Sequence, residues 1–177
     1  MCGAGIESHQ EFVDLVVSKL GGLPKSDSVS QRENSDYQGG EVRTMNDNST
    51  THLSLVFQGT TFKSNDFYAL KLAEIILGNS EFGRINALLH ENRAVESGKA
   101  VQANFQDSGL FGVQFSVASD KANHGLETGV NALKHLTKVT PQELNIAKSL
   151  LTNSLLTAMD RSADRLEEAA KNVFFLC

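Results

Sequence analysis

The stretch AVQANFQDSGLFGVQFSV, Ala100 to Val117, decides the fold class. Its first part, Ala100 to Gln106, has strand composition, and Asp107-Ser108-Gly109 has turn composition. Phe111, Val113, Phe115 and Val117 then fall at every second position, which puts all four on one face of a strand. A hairpin with one apolar face needs a cover, and the flanking segments offer it.

Upstream, Thr51 to Gln58 alternates Leu53, Leu55 and Phe57 with His52 and Ser54 and is a strand; GGEVRTM, Gly39 to Met45, reads as another, joined to it by the NDNST turn. Ser64-Asn65 can cap a helix that runs to Leu77 with apolar residues around most of its circumference, and Gly78 stops it. Phe82 to Asn92 is a shorter amphipathic helix through Ile85, Leu88 and Leu89. Downstream, Leu126, Val130, Leu133 and Leu136 mark a helix that Gly125 and Gly129 weaken. Thr140-Pro141-Gln142-Glu143 is a capping-box start, followed by the stripe Leu144, Ala147, Leu151, Leu155, Ala158. Two strands, two helices, two strands and two helices imply an α+β fold: a two-layer mixed or antiparallel sheet with helices on one face.

The N-terminal part stands apart. Ser8 opens a helix that ends at Leu20, with Gly21 expected to turn left-handed and Pro24 to forbid continuation. From Lys25 to Asp36 the only apolar residue is Val29, a composition that cannot bury anything. The expected organisation is a remnant of a first domain at 1–24 (the end of a strand plus a helix), a linker at 25–36, and a second α+β domain at 37–177. That domain is read as truncated at its end, because NVFFLC stops inside an apolar helical pattern.

Composition narrows the function. A net charge of −5 with scattered lysines and arginines argues against a nucleic-acid partner, and no apolar run is long enough for a membrane span. The two cysteines, Cys2 and Cys177, stand at the two tips, which excludes a disulfide framework or a CxxC knuckle. A helical zinc peptidase needs two histidines one turn apart beside a carboxylate. His90-Glu91 would require a histidine at 94, which is Ala94, and none of His9, His52, His124 or His135 has a partner at that spacing. Nucleophile elbows and phosphate loops are missing too. The residues therefore nominate no catalytic group, no cofactor site and no metal site; Glu167-Glu168 and Asp160/Asp164 read as the wet face of a helix.

Five words in the chain, YQGGEVR (37–43), THLSLVFQG (51–59), FGRINALLHENR (82–93), FQDSGLFGVQFSV (105–117) and VTPQELNIAKSLLTNSLL (139–156), together resemble the pitrilysin-type (inverzincin) metallopeptidase family in its mitochondrial branch. GIESHQEFVDLVVSKLGGLP looks like the last strand and helix of that family's first domain. The resemblance implies two similar α+β domains facing each other across a chamber, with the HxxEH zinc motif in the first, so zinc would be held only by a portion outside this sequence. It also implies that Arg84, in the place of the family's SRL arginine, is a vestigial substrate contact. The tyrosine of the GLAYSV pattern falls in SGKAVQA, which has no aromatic residue, and GNSEFGR is too short and glycine-poor for the glycine-rich loop of the processing-peptidase alpha subunit. These departures point to the non-catalytic branch, of the core-protein-two kind in ubiquinol-cytochrome c reductase, with a processing-peptidase alpha subunit or other zinc peptidase as the alternative. The partners implied are a homologous core-one-like or processing-peptidase beta-like subunit and further subunits of the respiratory complex, on the matrix side of the mitochondrial inner membrane.

Overall fold

The computed structural model describes residues 2–24, 33–45, 47–78, 83–91 and 95–176. Three strands form one sheet: β1 (Thr50–Gln58), β2 (Val95–Asn104) and β3 (Gly109–Ala118). Their order is β1-β3-β2 and both pairings are antiparallel. The hairpin β2–β3 closes as its sequence requires, with the Phe105 N–H donating to the Ser108 carbonyl at 2.9 Å. β1 then pairs on the far side of β3 in the register Leu53 opposite Phe115 and Leu55 opposite Val113.

Side chains directly opposite each other share a face of the sheet. Val113, Phe115 and Val117, with Ala100 and Val95 of β2, are therefore buried together on one side. That side is covered by α2 (Phe67–Leu77) and α3 (Arg84–Glu91) over β2, and by α4 (Ala122–His135) over β3 and β1. Leu77 and Ile85 are fully buried and join the sheet residues in the core. The two glycines that weaken α4 as an isolated helix have a packing reason: a Cβ on Gly125 would stand 2.5 Å from Val117 Cγ1, and one on Gly129 2.8 Å from Phe115 Cε2. Only glycine lets the helix axis come this close to the sheet.

Further helices are α1 (His9–Leu20), α5 (Pro141–Asp160) and α6 (Ser162–Leu176). Ser8 caps α1 by accepting from the Glu11 N–H at 3.4 Å. The chain divides into two compact units, Met1–Asn34 with Leu156–Cys177, and Ser35–Leu155. The second unit holds the sheet.

Three expectations are corrected. Gly39 to Met45 is not a strand: this segment has no regular structure, and Val42 and Met45 are each 93 % exposed. Two adjacent glycines carry a large ordering cost, and Val42 alone returns little burial. Gly21 ends α1 in right-handed geometry, φ −65° and ψ −19°, with its N–H still bonded to the Val17 carbonyl. The stripe Leu144 to Ala158 lies within α5 as expected, but the last two helices of the expected order are three, because a break at Arg161 separates α5 from α6. Of the expected linker, 25–32 lies outside the described residues.

Candidate functional site

Arg84, the residue singled out for substrate contact, is the first residue of α3. Its guanidinium donates from Nε to Glu143 Oε1 at 2.8 Å and from Nη2 to Glu143 Oε2 at 3.0 Å. Nη2 also donates to the Lys138 carbonyl at 2.7 Å, and Nη1 to the His135 carbonyl. The planar fork of arginine suits this two-point grip on a carboxylate. His135 ends α4 and Lys138 lies in the loop before α5, so one side chain ties the start of α3 to the end of α4 and the start of α5. The carbonyls at a helix C-terminus lack intrahelical donors and carry partial negative charge, which a cation there satisfies.

Glu143 has a second task. Its Oε2 accepts from the Thr140 N–H and the Thr140 hydroxyl, each at 2.8 Å, while the Glu143 N–H donates to Thr140 Oγ1 at 3.2 Å. This is the capping box read from Thr140-Pro141-Gln142-Glu143, completed by an arginine 59 residues away. The hydrogen bonds from Arg84, and then those from Thr140, hold the Glu143 carboxyl down at about 2, well below its ordinary 4.5.

The face of the sheet turned away from the helices carries polar rows beside the apolar Val56, Val101 and Leu110. Two cross-strand rows cross it, His52–Ser116–Ser97 and Ser54–Gln114–Lys99. They line a shallow groove of about 450 Å³. His52 Nδ1 lies 2.9 Å from Ser116 Oγ. A serine nucleophile also needs its histidine oriented by a third, usually acidic, group, and among the described residues no carboxylate is hydrogen-bonded to His52. The pair is a cross-strand hydrogen bond of the ordinary polar kind. The polar parity of each strand is visible in the sequence, whereas the register that brings His52 beside Ser116 is not.

His90 and Glu91 fall in the last turn of α3, and Ala94, where a second ligand would have to stand, lies outside the described residues. Among the described residues no group of three or more His, Cys, Asp or Glu side chains could hold a metal ion. No described helix is long and apolar enough to cross a membrane. Cys2 is a free thiol and Cys177 lies outside the described residues. In SGKAVQA, the space beside Gly98 is filled by Phe115 and Ile85: a Cβ there would meet them at 2.6 and 2.8 Å.

The model of a family described as "Peptidase M16 inactive domain" matches residues 1–151. The beta subunit of the mitochondrial-processing peptidase of Blastocladiella emersonii is 25 % identical over 182 residues, covering 97 % of this chain and 39 % of that protein. Human cytochrome b-c1 complex subunit 1 is 24 % identical over 187 residues, covering 98 % of this chain and 39 % of that protein. The chain thus spans about two fifths of the length of these relatives. A chain in the solved structure of complex III2 from Candida albicans superposes with a TM-score of 0.79 at 19 % identity, over 95 % of this chain and 43 % of that one. At that identity the likeness establishes the fold alone.

Proposed function

The chain belongs to the peptidase M16 inactive domain family, and from that premise we propose that it is the non-catalytic, assembly-forming part of a subunit of the respiratory complex III core-protein kind. The observation that carries the reading is the commitment of Arg84. The side chain that would grip a substrate is instead turned into the fold, with Nε, Nη1 and Nη2 all donating to Glu143 or to the His135 and Lys138 carbonyls. A guanidinium so engaged would have to abandon a helix junction in order to bind a peptide. Absence of an aromatic residue from Ser97 to Ala103 agrees with this, since the second gripping group of the active pattern is missing.

On this reading the partner is a homologous subunit, and the location is the mitochondrial one that the names of the relatives carry. Zinc would enter only through a first domain bearing HxxEH.

The second reading is a subunit of the mitochondrial-processing peptidase, favoured by the number of such subunits among the relatives, the alpha-2 subunit of Dictyostelium discoideum included. Affinity purification of the full-length product from its own cells separates the two. Recovery with cytochrome b-c1 subunits is the expected result. Recovery with a peptidase partner alone, accompanied by zinc-dependent presequence cleavage, would select the second reading.

A further inference from the structure

Of the two prolines in the chain, Pro24 follows Leu23 and Pro141 follows Thr140, so Thr140-Pro141 is the one place where a hydroxyl residue precedes proline. A proline drives the residue before it toward extended backbone and away from helix. Thr140 thus closes the loop between α4 and α5 as an extended acceptor, and every residue from Thr137 to Gln142 is exposed. An exposed hydroxyl outside regular structure, followed by a pyrrolidine ring, is the form in which a proline-directed protein kinase takes its substrate.

Beside this hydroxyl lies a cationic pocket. Arg84, His135 and Lys138 line a space of about 200 Å³. His135 and Lys138 lend only their backbone to the Arg84 clamp, and among the described residues their side chains make no hydrogen bond or ion pair. Glu143 Oε2 accepts from Thr140 Oγ1 at 2.8 Å and from Arg84 Nη2 at 3.0 Å. A single carboxylate oxygen therefore separates the hydroxyl from the guanidinium, and a phosphoryl oxygen carried on Thr140 Oγ1 falls close to where that oxygen now stands.

We infer that Thr140 is a phosphorylation site for a proline-directed kinase, and that its phosphate is held by Arg84, His135 and Lys138, with Arg84 passing from the Glu143 carboxylate to the phosphate. In the transfer, the Thr140 Oγ1–phosphorus bond forms as the bond from the terminal phosphorus of ATP to its bridging oxygen breaks. The hydroxyl proton goes to the general base of the kinase, and ADP leaves. Phosphothreonine carries a charge of about −1.5 to −2 at neutral pH, and that charge repels the Glu143 carboxylate it has displaced. Arginine grips phosphate by the same two-point fork that it offers a carboxylate. The junction of α3, α4 and α5 is kept, and two side chains without a partner gain one.

Two measurements test this. The full chain, incubated with ATP and a purified kinase that requires proline after its acceptor, is expected to gain one phosphoryl group, located on Thr140 by mass spectrometry. Pro141→Ala leaves the Thr140–Glu143 cap in place and puts a good helix former at the first helical position, yet it is expected to slow the transfer at least about tenfold. Phosphorus NMR of the phosphorylated chain over a pH series then reports where the phosphate sits. Its second ionisation is expected below the ordinary value of about 6, because neighbouring cations favour the more charged form. His135→Gln with Lys138→Gln, which leaves the backbone carbonyls of the clamp intact, is expected to return it toward that value. Absence of phosphate from Thr140, or equal transfer to the Pro141→Ala chain, would overturn the assignment of the site. An ionisation at or above the ordinary value would overturn the handover, since the phosphate would then stand in solvent or against Glu143.

Discussion

Arg84 and Glu143 meet across 59 residues of sequence in a two-point ion pair, and the same carboxylate closes the N-terminal cap of α5. Local and long-range order therefore share one group. Arg84→Ala would take the Arg84 donor from the Lys138 carbonyl, leave the His135 carbonyl with the Lys138 N–H alone, and leave Glu143 with Thr140 alone. The expected loss is about 1.5–3 kcal/mol, the range for hydrogen bonds to charged groups, read as a lower urea midpoint at unchanged slope. Arg84→Lys is expected to recover less than half, because an ammonium cannot reproduce the fork.

Acid titration reports on the same pair. The folded Glu143 carboxyl titrates at about 2, against an ordinary 4.5 when unfolded. A depressed folded pKa gives stability that is fully present above the unfolded value and is lost as pH falls toward the folded one. Stability should therefore decline between about pH 4.5 and about pH 2, and Glu143→Gln should flatten that decline. A residual slope is expected in the variant from Asp107, lowered by its bond from Ser35, and from Glu167, lowered by Lys171. Thermal melts at half-unit pH steps would show the difference.

How much of this was legible beforehand differs from place to place. The β2–β3 hairpin, β1, and the capping box at Thr140 follow from periodicity and cap chemistry within a dozen residues, although β2 begins at Val95, five residues before the strand read from Ala100, and ends at Asn104. The Arg84 clamp could not be read, because its partners come from three different elements and no local pattern links them. Gly39 to Met45 has strand-like spacing but lacks the apolar residues that would make pairing obligatory, so local pattern alone did not decide its state. Gly125 and Gly129 read as a weakness of α4 in the sequence; only the helix-to-sheet distance shows that they permit its packing.

Gly129 offers a direct test of that distance. An alanine in a helix interior gains about 1 kcal/mol over glycine by propensity. Here its Cβ would stand 2.8 Å from Phe115 Cε2 and 2.9 Å from Leu55 Cδ1, both in the packed layer between α4 and the sheet. Overpacking costs about 1–3 kcal/mol, so Gly129→Ala is expected to be destabilising on balance and Gly129→Val more strongly so. A rise in melting temperature with Gly129→Ala would show that α4 is free to move away.

Gln102 lies on β2 opposite Phe111, and its side-chain Oε1 and Nε2 are buried without a hydrogen-bond partner among the described residues. An unsatisfied buried amide costs about 1–3 kcal/mol, and an apolar side chain of similar length avoids that cost. Gln102→Leu is accordingly expected to raise the urea midpoint. An unchanged or lower midpoint would mean that the amide is satisfied by water or by a partner subunit.

The chain alone should neither cleave peptides nor remain monomeric. Catalysis would require a zinc ligand set, and the sequence contains neither HxxEH nor HExxH, so added zinc has no paired histidines one helical turn apart to bind. Association has a positive cause. Leu156 of α5 and Val17 of α1 are each 61 % exposed, Val173 of α6 is 64 % exposed and Leu23 66 %, an amount of uncovered apolar surface that favours burial against a neighbour. Sedimentation velocity is expected to show species larger than 19.2 kDa that dissociate on dilution, and a quenched-peptide assay is expected to stay at background with or without zinc. Co-expression with a homologous partner subunit should convert the mixture to a defined complex, since the partner would cover the same apolar surface. A stable monomer with zinc-dependent cleavage would contradict both the assembly role and the reading of Arg84 as a residue of the fold.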